Sequence, residues 1–181
     1  AAGLAVPLVP VVVRNTLLAH ELTFTTTQAG QNFYIGNNPA NRSGKYEAPA
    51  WVRANPAYEE DDFRGYAEAQ AGRRLSPAKV GRFYFRAGLS FAVHDPGRFL
   101  KLQLRKAVLY FNNYEVPDNQ DIGFVAAYSP VLKLPLIPFG LILALALAGL
   151  PAGPRRPLDW MLGAGFLLYG LSVIAFYVFS R

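Results

Sequence analysis

Hydrophobic residues are concentrated at the two ends of the chain, and the charged residues lie between them. Residues 134–150 carry no charge, and residues 158–179 carry one, Asp159, near the start. As helices these segments would be roughly 26 and 33 Å long, against a hydrocarbon core of about 30 Å. The pattern therefore predicts a transmembrane hairpin over residues 131–181.

The turn of this hairpin, residues 151–157, contains three prolines and carries Arg155 and Arg156. Short loops that carry Lys or Arg are retained in the cytoplasm. The turn is therefore predicted to be cytoplasmic. The polar residues before the hairpin, 15–130, are predicted to form an extracytoplasmic domain of an integral membrane protein.

Residues 1–14 are apolar up to Arg14 but too short to cross a bilayer, and no basic region precedes them as in a signal peptide. We therefore expect them to be the end of a truncated transmembrane helix of a longer protein. A naturally short membrane subunit is the alternative. Upstream coding sequence would distinguish the two.

The polar middle predicts a mainly α domain with one short β-hairpin. Residues 22–27 and 32–35 are rich in β-branched and aromatic types around a glycine turn, which is typical of two short strands. Helices are predicted over 56–71, 77–93 and 96–113, because each range starts with proline after a capping residue, Asn55, Ser76 or Asp95. Gly72 is predicted to end the first helix.

The helix predicted at 96–113 has two distinct faces. Leu100, Leu104 and Val108 recur on one face, and Arg98, Lys101 and Arg105 form a basic row beside it. This arrangement favours a helix at a membrane interface, where acyl chains contact the leucines and lipid phosphates contact the cations. The alternative is an ordinary solvated helix that docks on its own small domain.

Composition excludes several classes. Between Arg14 and Asp121 there are fourteen Lys or Arg and eleven Asp or Glu, a net charge of +3 that is too small to indicate a nucleic-acid surface. The chain has no cysteine, so disulfides and thiolate metal sites are excluded. Acids at 59–62 are better explained by the dipole of the helix that starts at Pro56 than by a metal. No catalytic or phosphate-binding motif occurs.

The order of several motifs resembles a known family. Four segments are similar to those of bacterial dolichyl-phosphate-mannose protein mannosyltransferases. They are residues 10–15, the segment from Gly30 to Pro39, the Ser76-Pro77 helix, and the basic helix between His94 and Glu115. The resemblance implies a GT-C-like, membrane α-helical glycosyltransferase that moves a sugar from a polyprenyl-phosphate donor to an acceptor on the outer face. The family's catalytic aspartate has no counterpart here, so no catalytic residue is assigned.

Within that resemblance, two sets of residues are candidates for binding. Arg98, Lys101 and Arg105 are predicted to hold the lipid phosphate of the donor. A sugar or acceptor site is predicted at Asn32, Tyr34, Asn37 and Asn38, although the two last asparagines are equally explained as turn caps. No metal or other cofactor is identified, and the expected partners are membrane lipids, the lipid-linked sugar and the remaining membrane helices. A non-catalytic structural subunit of a membrane complex is the alternative function.

Overall fold

The computed structural model describes residues 2–19, 28–53, 55–113, 116, 121–131, 137–149 and 156–178. These residues are mostly helical. An isolated parallel β-bridge joins Lys45 and Val178. The helices of the described ranges are α1 (Ala2–Ala19), α2 (Ala29–Gly36), α3 (Pro56–Ala71), α4 (Pro77–His94), α5 (Pro96–Phe111), α6 (Ile122–Tyr128), α7 (Phe139–Gly149) and α8 (Pro157–Ala175).

The three helices predicted from proline after a capping residue are confirmed. The side chain of Asn55 accepts a hydrogen bond from the Ala57 amide at the start of α3. Gly72 ends the same helix in the left-handed conformation, with φ 63°, which glycine adopts without steric cost. Asp95 caps α5 through the Arg98 amide. Ser76 precedes α4 as predicted, but its side chain makes no capping hydrogen bond there. At α3 and α5, local chemistry at the first turn therefore decides where the helix begins.

The β-hairpin prediction is wrong for its second strand. Residues 32–35 lie inside α2, and the first strand, 22–27, lies outside the described residues. Helix α2 packs on α4 so closely that a Cβ on Gly30 would lie 1.8 Å from the Gly81 carbonyl oxygen. This contact buries Ile35 and leaves the backbone of α2 satisfied within the helix. Packing on α4 therefore overrides the local β preference.

The core of the domain lies between α2, α3 and α4. Its buried members are Ile35, Val52, Phe63, Ala67, Val80 and Tyr84. The Tyr84 hydroxyl donates a 2.7 Å hydrogen bond to the Phe63 carbonyl, which joins α4 to α3. Trp51 packs edge-on against Phe63, with ring centroids 5.1 Å apart. An aromatic core therefore holds the three helices in one unit.

Helix α8 is the one helix of the described ranges that is long and apolar enough to cross a membrane. It has 19 residues, and most of its large apolar side chains, such as Leu162 and Leu168, are exposed. The other predicted span is seen as the 11-residue apolar helix α7, while residues 134–136, residue 150 and the turn at 151–155 lie outside the described residues. The described residues therefore contain one candidate span and one shorter apolar helix, and the membrane hairpin stays a prediction.

Helix α1 is longer than the predicted half-span. It continues through Arg14 and Asn15 to Ala19, whereas the sequence pattern predicted an end at residue 14. A polar pair inside a helix keeps its backbone hydrogen bonds, so polarity alone does not end the helix.

Candidate functional site

The carboxyl end of α8 enters the domain and is held there by hydrogen bonds. The Asn37 side-chain amide donates to the Ala175 carbonyl over 2.8 Å, and the Lys106 ammonium donates to the Phe176 carbonyl over 2.7 Å. Just beyond, the Val178 amide donates to the Gly44 carbonyl over 3.0 Å. Since the last carbonyls of a helix have no partner within it, these contacts complete the end of α8.

Gly36 makes this junction possible. A Cβ at this position would lie 1.7 Å from the Phe176 carbonyl oxygen, so any larger residue would displace the chain after α8. Asn37 follows directly and is fully buried. The backbone of α2 at Gly36 therefore lies directly against the backbone of Phe176 at the end of α8, with no room for a side chain at residue 36.

Lys106 is a buried cation at this junction. Its ammonium group also donates to the Asn37 side-chain oxygen over 2.9 Å, and the Gln103 side-chain amide donates to that oxygen over 2.7 Å. Burial lowers the pKa of Lys106 to about 7. The carboxyl end of α8 carries partial negative charge, which favours the protonated form. The polar contacts therefore offset part of the cost of burying an ammonium group.

Helix α5 docks through the face opposite to its predicted apolar face. Leu102, Lys106 and Tyr110 are buried, whereas Leu100, Leu104 and Val108 are 59%, 60% and 67% exposed. We call the exposed row Leu100, Leu104, Val108 and Phe111 the apolar ridge. Helix α5 therefore docks on its own domain, as in the alternative of a solvated helix, and it does so through the face opposite to the ridge. An interfacial role remains a prediction.

The carboxyl end of α5 lies beside α8 itself. The Phe111 and Phe166 ring centroids are 6.4 Å apart, and a Cβ on Gly170 would lie 3.1 Å from the Tyr110 ring. Phe166 comes ten residues before Phe176, roughly 15 Å along the helix axis. Therefore the end of the apolar ridge lies alongside the candidate span, and not beyond its end.

Arg98, Lys101 and Arg105 are brought together in one cleft, which we call the basic cleft. It has a volume of about 310 Å³, and its other lining residues are Asn41, Arg42, Phe91 and Leu102. Arg98 is partly engaged, since it donates to Asp95 over 3.2 Å and to the Pro39 carbonyl over 2.7 Å. Four cations around one small space form a site that suits a phosphate group.

The four residues predicted for a sugar or acceptor site are not brought together on one open surface. Asn32 lines a polar groove of about 650 Å³ between α2, α3 and Tyr177. Tyr34 is partly buried, with its ring centroid 5.3 Å from that of Tyr84, and burial raises the pKa of its hydroxyl. Asn37 and Asn38 are buried.

The buried asparagines serve the turn after α2. The Asn38 side-chain oxygen accepts from the amides of Ala40 and Asn41, and its amide group donates to the Tyr34 and Ile35 carbonyls. Asn37 joins α2 to α8 as described above. These contacts match the capping alternative of the sequence analysis. A ligand would reach these two amides only after the turn rearranges.

The acids at 59–62 have protein partners. Glu59 accepts from the Tyr46 hydroxyl over 3.2 Å, and Asp62 accepts from the Arg53 guanidinium with a closest distance of 2.6 Å. The hydrogen bonds from Arg53 lower the pKa of the Asp62 carboxyl group. No group of three or more His, Asp or Glu side chains in the described ranges is placed to hold a metal ion.

Sequence reasoning missed two residues of these sites, Arg42 and Lys106. Arg42 lies in a turn 56 residues before Arg98, so nothing local connects it with the basic cleft. Lys106 does carry a signal, because it follows Leu102 by four residues and precedes Tyr110 by four. That spacing places it on a helix face with two apolar residues, and so predicts burial.

Comparison of the chain with protein-family models, with curated proteins and with solved structures gives no match.

Proposed function

We propose that this chain is part of a membrane glycosyltransferase that moves a sugar from a polyprenyl-phosphate donor to an acceptor on the outer face. In this proposal the domain formed by α2–α5 holds the donor phosphate in the basic cleft. The observation that carries it is the position of the cleft and the exposed apolar ridge on the same helix, α5, which packs against the candidate span α8.

The chemistry of the donor matches these two surfaces. A polyprenyl phosphate joins an anionic head to a long apolar tail, so its site needs cations next to a surface that faces lipid. Lys101 and Arg105 each follow a ridge residue, Leu100 and Leu104, and at 100° per residue the two rows lie on adjoining faces of α5. A bound head in the cleft therefore leaves the tail beside the ridge.

The direction of α8 supports the proposed side of the membrane. The domain sits at the carboxyl end of α8, and Arg156 lies at the opposite end, where its amide donates to the Asp159 carboxylate. Because a short loop with two arginines is retained in the cytoplasm, the domain is proposed to be extracytoplasmic in a bacterial inner membrane. The catalytic carboxylate would come from other transmembrane helices, so the chain by itself is expected to be inactive.

Binding of undecaprenyl phosphate by the chain in detergent micelles tests the phosphate site. We expect the double variant Lys101→Ala/Arg105→Ala to weaken binding by about tenfold or more, because two charge-assisted contacts are lost. Undecaprenol, which lacks the phosphate, should bind weakly to both proteins. Microscale thermophoresis measures the affinities.

The matched control is Lys79→Ala/Arg82→Ala, which removes two cations of α4 outside the basic cleft. Equal loss in the control would show general electrostatic attraction and contradict the proposed site. Unchanged affinity in the cleft variant would contradict it as well. In a longer protein that includes the catalytic helices, the cleft variant should raise the donor KM and leave kcat nearly unchanged.

A further inference from the structure

The polar groove beside α2 differs from the basic cleft in both chemistry and place. It is lined by Asn32 of α2, by Asn55 and Glu59 at the start of α3, and by Tyr46 and Tyr177, which come from the turn after α2 and the chain after α8. Its volume is about 650 Å³, which is large enough for a disaccharide or drug-sized ligand. Four separate segments of the chain therefore contribute polar or aromatic groups to one space.

The charge of the groove disfavours a phosphate. Glu59 and Glu60 line it, and its arginine, Arg53, is held by Asp62 through two of its three guanidinium nitrogens, at 2.6 and 3.0 Å. An anion in the groove would meet carboxylates and an arginine that is already paired. The basic cleft, which has cations and no acid in its lining, has the opposite preference.

The hydrogen-bonding groups of the groove suit hydroxyls. The Asn32 amide can both donate and accept, and the Glu59 carboxylate accepts. The Asn55 amide can donate through its NH2 group, since its oxygen caps α3. Glu59 is held in place by the Tyr46 hydroxyl over 3.2 Å. A sugar hydroxyl can donate to the carboxylate and accept from an amide at the same time, so adjacent hydroxyls fit this set.

The aromatic groups of the groove suit the apolar faces of sugar rings. The rings of Tyr46 and Tyr177 have centroids 5.4 Å apart and lie at 70° to each other, so they form two walls of a corner. The C–H groups of a pyranose pack against the electron-rich face of an aromatic ring.

We propose that this groove binds a neutral saccharide, as the acceptor of the sugar transfer. The basic cleft and the groove share no lining residue. Since the donor phosphate is assigned to the cleft, we assign the separate groove to the acceptor. The assignment as acceptor rests on the proposed function, whereas binding of a saccharide is measured independently of it.

Saturation-transfer difference NMR on the whole chain in detergent micelles tests the site. The probes are the neutral disaccharides mannobiose, maltose and chitobiose, with glucose phosphate as the anionic comparison. We expect transfer to at least one neutral disaccharide and little or none to glucose phosphate. The variants Asn32→Ala and Glu59→Gln should each weaken binding of that disaccharide by about fivefold or more.

The matched control is Asp61→Asn, which neutralises an acid of α3 that does not line the groove, and it should bind like the unaltered chain. No transfer to any neutral probe, or transfer unchanged in both groove variants, would overturn the inference. If saccharide binding fails while undecaprenyl phosphate still binds, only the groove assignment is wrong. If saccharide binding holds while phosphate binding fails, only the phosphate site is wrong.

Discussion

The Lys106 ammonium donates a hydrogen bond to the Phe176 carbonyl over 2.7 Å, and this contact joins the domain to the end of the candidate span α8. It connects residues that are 70 positions apart in the sequence. Asn37, which directly follows α2, strengthens this junction, since its side chain contacts both Lys106 and the Ala175 carbonyl. The orientation of the basic cleft relative to α8 depends on this junction.

Replacing Lys106 with alanine should destabilise the domain by about 3 kcal/mol, because it opens a cavity and leaves the Phe176 carbonyl and the buried Asn37 side-chain oxygen without that donor. Urea unfolding in micelles, followed by Trp51 fluorescence in a Trp160→Phe background, measures the change. The exposed Lys101→Ala variant is the control and should stay within about 0.5 kcal/mol of the parent. Equal stability of both variants would contradict the structural role of Lys106.

Stability should rise with pH between about 7 and 10. The folded-state pKa of Lys106, about 7, lies below the ordinary value of 10.5, so in this window the unfolded chain binds one more proton than the folded chain. The free energy of unfolding then increases with pH, by roughly 1 kcal/mol per pH unit from this group. Below about pH 7 both states are protonated and the dependence from Lys106 disappears.

Urea unfolding at a series of pH values measures this slope. The variant Lys106→Met lacks the titrating group and should lose the rise over the same window. If the free energy of unfolding still rises with pH by the same amount in Lys106→Met, the pH dependence comes from other groups.

Gly30→Ala should separate α2 from α4. The added Cβ would lie 1.8 Å from the Gly81 carbonyl oxygen, so the helices must move apart, at a cost of about 2 kcal/mol or more. Gly65→Ala is the matched control, because nothing lies within 4 Å of its Cβ position and alanine favours the interior of α3 by up to about 1 kcal/mol. Thermal unfolding should therefore show opposite shifts for the two variants.

The apolar ridge of α5 should contact lipid. The chain has no cysteine, so single-cysteine variants Leu104→Cys and Val108→Cys can be labelled with an environment-sensitive fluorophore. In liposomes we expect blue-shifted emission at both positions and quenching by lipids that carry a quencher in the acyl chain. A label at Arg64→Cys on α3 should show the emission of a fluorophore that is exposed to water. Water-like emission at the ridge would contradict an interfacial helix.

Helices α3, α4 and α5 could be predicted because their determinants lie close together in the sequence. Proline cannot donate a backbone hydrogen bond and is tolerated in the first turn, and a preceding Asn or Asp satisfies the free amides there. Asn55 and Asp95 do so in the structure. The predicted basic row also lies together, since Arg98, Lys101 and Arg105 are close on a single helix.

Helix α2 and the fate of its asparagines could not be predicted in this way. Aromatic and β-branched residues at 32–35 favour a strand locally, but α2 gains its stability from contact with α4 through Gly30 and Gly81. Asn37 and Asn38 have side chains that suit a sugar, yet both are buried where α2 meets the chain after it. Their partners are distant residues or backbone groups that no local pattern identifies.

The amino-acid sequence by itself determined the apolar character of the chain ends, the boundaries of the capped helices and the two faces of α5, because hydrophobicity and capping act over a few residues. Only the tertiary structure decided which face of α5 is buried, that Lys106 lies at the end of α8, and that Arg42 joins the basic cleft. These features depend on contacts between segments about 50 to 70 residues apart. The stability of such contacts is set by packing in a shared interior and by the cost of removing polar groups from water.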